Sequence, residues 1–161
     1  MATNPVFSKS GIAQIAAGQP PAVADQTSDL LAPGGPVVTR LLATLPEAMA
    51  IYAFGSRIHG TQRVDSDLDL AVLVQGYADP LQLWDLSSKL ADVASCPVDL
   101  LDLRAASTVM QYQVLTTGQR LWSAGLQADL FACFVISQKQ SLNAARAGLL
   151  TDIAKTGKIH G

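Results

Sequence analysis

The chain has 161 residues, 49% of them hydrophobic and 15% charged, with a formal net charge of −2. That length suits one domain with a real core, and the absence of a basic stripe excludes a general nucleic-acid binder. No apolar run approaches the roughly 18 residues needed to span a bilayer. Residues 11–17, interrupted by Gln14, are a poor signal-peptide core, so a cytoplasmic protein is expected. The two cysteines, Cys96 and Cys133, lie far apart in apolar surroundings without metal-ligand spacing. They read as buried, reduced thiols, with neither zinc nor a disulfide.

Residues 1–36 carry Pro5, Pro20, Pro21, Pro33, Pro36 and the Gly34-Gly35 pair with little periodicity, the composition of an extended or mobile arm. From Val37 the pattern changes. Val37, Val38, Leu41, Leu42 and Leu45 follow helical spacing, and Pro46 ends that helix. A strand over 48–54 comes next, then a Gly55-Ser56 turn, then a second strand over 67–74. Asp79-Pro80 is a helix start, an N-cap followed by proline at the first helical position. Leu83, Leu86, Leu90 and Val93 line one face of the helix that runs to about Ala94. A third strand, Val98–Leu103, leads to a helix over 105–116 stopped by Gly118, and to a short strand over 119–123.

From Leu126 onward the chain reads as one long helix or two, with Leu130, Phe131, Phe134 and Val135 as its apolar part and Leu149, Leu150 and Ile153 beyond. This order gives an α+β fold, a small mixed sheet with helices packed on one face and C-terminal helices. It divides into an arm (1–36), a core (37–125) and a C-terminal helical segment of the same domain (126–161). Trp84, Trp122, Phe131 and Phe134 read as core or interface aromatics.

The chemistry concentrates between Ala53 and Val74. One apolar run ends at Gly55-Ser56, and ten residues later Asp67-Leu68-Asp69 opens another. Side chains alternate along a strand, so Asp67 and Asp69 project together. Like charges so placed repel unless a cation joins them, and paired carboxylates are the donors Mg²⁺ prefers. A Gly-Ser turn with free N–H groups can cradle a phosphate. On the third strand Asp99 lies between Val98 and Leu100. Asp102 competes with it for the place of third acid but lies at odd separation, so only one of the two can join Asp67 and Asp69. With Asp99 chosen, Asp102 is left to cap the following helix or meet solvent.

Gly-Ser, ten residues, Asp-x-Asp, with a further carboxylate on a later strand, resembles the signature of the nucleotidyltransferase superfamily typified by DNA polymerase beta. The resemblance implies a polymerase beta-like fold and metal-dependent nucleotidyl transfer, with Asp67, Asp69 and Asp99 as catalytic residues and ligands to Mg²⁺, two ions in all. On that resemblance Asp67 and Asp69 would hold both ions, and Asp99 would serve the one that activates the acceptor hydroxyl. Gly55 and Ser56 hold the β- and γ-phosphates of ATP, the co-substrate. Arg57 and Arg63 are candidates to neutralise the triphosphate, and Ser66 to orient the metal loop. His59 reads as a loop residue.

The chain is too small and too weakly basic to carry nucleic-acid domains. It looks like the minimal, MNT-type antitoxins that accompany HEPN-domain ribonuclease toxins. That likeness spans roughly residues 37–161 and includes the Val98–Leu103 strand with Arg104-Ala105 and the tail from Asp152-Ile153 to His160-Gly161. It implies transfer of AMP from ATP to a tyrosine hydroxyl of the HEPN toxin, with Phe131, Phe134, Leu149 and Leu150 as candidates for the docking face. The alternatives are a non-catalytic antitoxin acting by occlusion and a transferase acting on a small-molecule hydroxyl such as an aminoglycoside. No membrane and no direct nucleic-acid partner are expected.

Overall fold

In a computed structural model describing residues 23–61 and 66–156, two helices, α1 (Val23–Leu31) and α2 (Pro36–Thr44), precede strands β1 (Ala48–Phe54) and β2 (Leu68–Val74). Then come α3 (Pro80–Ala94), β3 (Val98–Asp102), α4 (Thr108–Thr117), β4 (Gln119–Ser123) and α5 (Leu126–Thr156). The strands form one mixed sheet in the order β3-β2-β1-β4, with β2 and β3 parallel and the other pairs antiparallel.

Helices cover both faces of this sheet, not one. Ile51, Ala53, Leu70, Val72 and Val74 pack with Val37, Leu41, Leu86 and Leu90 of α2 and α3. The alternate residues Tyr52, Phe54, Ala71 and Leu73 pack with Val114 of α4 and Ala128 of α5. The central strands are apolar along most of their length because both sides are buried. An alternating polar face, the mark of one-sided cover, is missing from them.

Local chemistry sets the helix ends. The Asp79 carboxylate accepts the Leu81 N–H at 3.0 Å ahead of Pro80, and Ser107 accepts the Met110 N–H at 3.3 Å. The Ser107 cap starts α4 at Thr108, three residues later than its sequence suggests.

Part of the proline-rich segment is helical. α1 packs against α2 and buries Leu31, although prolines bracket it. Residues 1–22, the stretch 62–65 with Arg63, and the tail 157–161 with His160 lie outside the described residues.

From Leu126 the chain is a single helix, which touches the body mainly through α4 and β1. Ala128 and Val135 are buried and Phe131 half-buried, whereas Leu130 and Phe134 are exposed. Among the other aromatics Trp122 is half-buried, but Trp84 is 74% exposed, because Leu83, Leu86 and Leu90 point the opposite side of α3 inward. Both thiols are free, but neither is fully buried. Cys96 is half-buried beside the first core, and Cys133 is exposed on the side of α5 turned away from Ala128 and Val135. No described helix is long and apolar enough to cross a membrane.

Candidate active site

β1 ends at Phe54, which stands opposite Asp69 in the antiparallel register. The next residue, Gly55, has φ +79°, a left-handed conformation that a side chain resists. A Cβ at this position would also collide with the Asp69 carboxylate. Glycine is therefore favoured by the backbone, and any side chain here would have to displace the Asp69 carboxylate. The loop beyond it closes on itself, with the Ser56 carbonyl accepting the Thr61 N–H at 3.1 Å. No helix begins here. The segment is a run of turns.

Arg57 ties this loop to the start of β2. Its Nε donates to the Ser66 carbonyl at 2.7 Å, so one edge of the guanidinium is a brace between the Gly-Ser turn and the acidic segment. Ser66 is half-buried and Asp67, one residue on, is exposed. The Leu68 N–H donates to the Pro97 carbonyl at 2.8 Å and zips β2 to β3 at this end. That zip sets the parallel register in which Asp69 stands beside Asp99.

Neighbouring strands lie about 4.8 Å apart, and register partners in a parallel pair share a face. Asp69 and Asp99 are thus adjacent on the α4/α5 side of the sheet, and Asp67, just ahead of β2, is near enough for its charge to act on Asp69. Burial, foremost, then the charges of Asp99 and Asp67 hold the Asp69 carboxyl above the usual carboxylate range. Among the described residues no three ligating side chains converge closely enough to enclose an ion as they stand.

Asp102 has a different fate from the one its position suggests. It is on the face opposite Asp99, but it neither caps α4 nor meets solvent. It is 8% exposed, and its two oxygens accept the Ala78 N–H at 2.9 Å and the Arg104 N–H at 2.8 Å. It joins the β2–α3 loop to the β3–α4 turn.

Sequence reasoning also passed over a groove of about 870 Å³ beside β3, lined by Asp99, Leu101, Trp84, Tyr77 and Met110 among others. The available signal was Trp84 itself, a large apolar residue off the Leu83-Leu86-Leu90 stripe.

Gly55 pressed against Asp69, with Asp99 beside it in register, makes the open end of the β1–β2–β3 frame the candidate active site. The chain matches the Polymerase beta, Nucleotidyltransferase family over residues 38–125 and belongs to that family. It is 41% identical over 117 residues to the protein adenylyltransferase MntA of Shewanella oneidensis, covering 73% of this chain and 84% of that one. Among solved structures it is similar to a toxin–antitoxin with AMP-PNP, at TM-score 0.65 and 41% identity over 73% of this chain and 95% of that one. It is also similar to an MNT antitoxin in complex with the tri-AMPylated HEPN toxin of Shewanella oneidensis. There the TM-score is 0.59 and the identity 37%, over 73% of this chain and 92% of the other.

Proposed function

We propose that this chain is a protein adenylyltransferase that transfers AMP from ATP to a tyrosine hydroxyl of a HEPN-domain toxin in the cytoplasm and so acts as its antitoxin. One observation carries the reading. The Asp69–Asp99 register pair, with Gly55 packed against Asp69, stands in a chain 41% identical to a protein adenylyltransferase.

Asp67, Asp69 and Asp99 are hard oxygen donors of the kind Mg²⁺ takes, and the charge that Asp69 feels from both neighbours is what a divalent cation would relieve. When bound, Mg²⁺ would neutralise triphosphate charge and lower the pKa of the attacking hydroxyl. Asp99, exposed at the mouth, accepts the proton of the acceptor hydroxyl. That oxygen forms a new bond to the α-phosphorus, the bond from that phosphorus to the bridging oxygen breaks, and pyrophosphate leaves with the electron pair. Gly55 and Ser56 offer backbone and hydroxyl donors to the β- and γ-phosphates. Arg57 holds their loop against Ser66 and presents positive charge beside it.

The test is intact mass spectrometry of the HEPN toxin after incubation with this chain, ATP and Mg²⁺, beside an Asp67→Asn/Asp69→Asn variant. A gain of one or more AMP units, absent with the variant, is the expected result. No gain, in a tight complex that still blocks RNA cleavage, would make occlusion the mechanism.

A further inference from the structure

The groove beside β3 has a floor, two walls and a chemically distinct end. β3 is an edge strand. Its odd-numbered residues bond to β2, as the Leu68-to-Pro97 and Leu103-to-Val72 hydrogen bonds show, so the backbone groups of Val98 and Leu100 face outward. The hydroxyl of Ser87 on α3 already occupies the Val98 carbonyl. The Leu100 N–H and C=O remain directed at the groove. α3 supplies one wall through Leu83 and Trp84, and α4 supplies the other through Met110. At one end lies Asp99, the register neighbour of Asp69.

The lining decides what class of ligand fits. It contains no lysine or arginine, which argues against a polyanion such as RNA. Its other carboxylate, Asp102, is taken up by two backbone N–H groups, which leaves few polar groups for a sugar. What it offers is apolar wall, the outward main chain of Leu100, and an indole 74% exposed at the rim. An extended polypeptide uses all three. Its main chain pairs with a free sheet edge while alternate side chains enter the groove.

We infer that this is the acceptor groove: an extended, apolar stretch of the toxin lies along β3 between α3 and α4, anchored on Trp84, and brings its hydroxyl to Asp99. The inference rests on the adenylyltransferase reading above, and it names the surface that selects the acceptor. Trp84 is then a positioning residue that holds the acceptor segment and takes no part in the bond changes.

The chain has two tryptophans, so a Trp122→Phe background leaves Trp84 as the reporter. Adding catalytically inactive HEPN toxin without nucleotide should shift its emission to the blue as the indole is buried. In the otherwise native chain, Trp84→Ala should raise KM for the toxin about tenfold while KM for ATP stays within about twofold, and Trp84→Phe should recover most of the loss. Emission unmoved at saturating toxin, or an unchanged KM for the toxin, would overturn the groove assignment, as would failure of the toxin to bind. A blue shift that grows with the concentration of this chain alone would assign the groove to a second copy instead. If Trp84 is buried by the toxin and the native chain still transfers no AMP, the transferase reading fails and the groove stands. Transfer with Trp84 emission unmoved has the opposite meaning.

Discussion

The two ends of β3 each carry an aspartate, and the two have opposite environments. Asp102 is buried and fully engaged, each oxygen accepting a backbone N–H. Asp99 is exposed and stands next to another carboxylate, Asp69, that is itself held above its usual range. A carboxylate surrounded by donors stabilises the fold, and one set beside another acid does not. One strand thus carries, three residues apart, an acid that ties two turns together and an acid left open beside another.

Substitutions should break this symmetry in opposite directions. Asp99→Asn, which removes the proton acceptor at the open end, should lower AMP transfer by about 10²–10⁴-fold with the fold intact, as single-turnover assays and far-UV circular dichroism will show. Asp102→Ala should act the other way. It orphans two backbone N–H groups and should cost about 3 kcal/mol in urea unfolding, a stability loss that Asp99→Asn should not share. Gly55→Ala joins the two effects. Its methyl meets the Asp69 carboxylate and its φ of +79° strains any side chain, so a stability loss of about 1–2 kcal/mol should accompany a larger loss of activity.

The smallest effect sharpens the contrast most. Asp69 has a raised pKa in the fold, so its protonated form is favoured there. The stability this group contributes is present below the ordinary carboxylate pKa and is lost as pH rises through its higher folded value. Without added metal, Asp69→Asn should therefore raise Tm by roughly 2 °C near neutral pH, and the advantage should vanish in acid. Differential scanning calorimetry at two pH values tests it. A neutral-pH Tm below that of the native chain would mean that Asp69 holds the fold together as Asp102 does.

The faces of the β3 acids were legible in the sequence because strand alternation is a local rule. Two-residue alternation separates Asp99 from Asp102, and the parallel register sets Asp99 beside Asp69 and Asp102 beside Val72. What lay beyond the sequence depended on distant residues. Nothing local tells Asp102 that Ala78 will donate to it, or tells the apolar residues of β1 and β2 that helices will cover both sides. α1 is nine residues between prolines, too short to be marked by periodicity, and it is held by its contact with α2 and by burial of Leu31. Along α5 apolar residues occur on every side, so the pattern could not distinguish Val135, which is buried, from Phe134, which is not.

That last helix has a thermal consequence of its own. It is 31 residues long, and from Gln140 to Lys155 every side chain except that of Ile153 is exposed. Roughly 24 Å of helix therefore stands away from the body. A helical segment of that length is marginal in water without tertiary support. The outer part of α5 should therefore unwind well before the sheet, whose cooperative transition is the one that sets Tm. In deuterated water its amides should be replaced orders of magnitude sooner than those around Val135, along one uninterrupted helix.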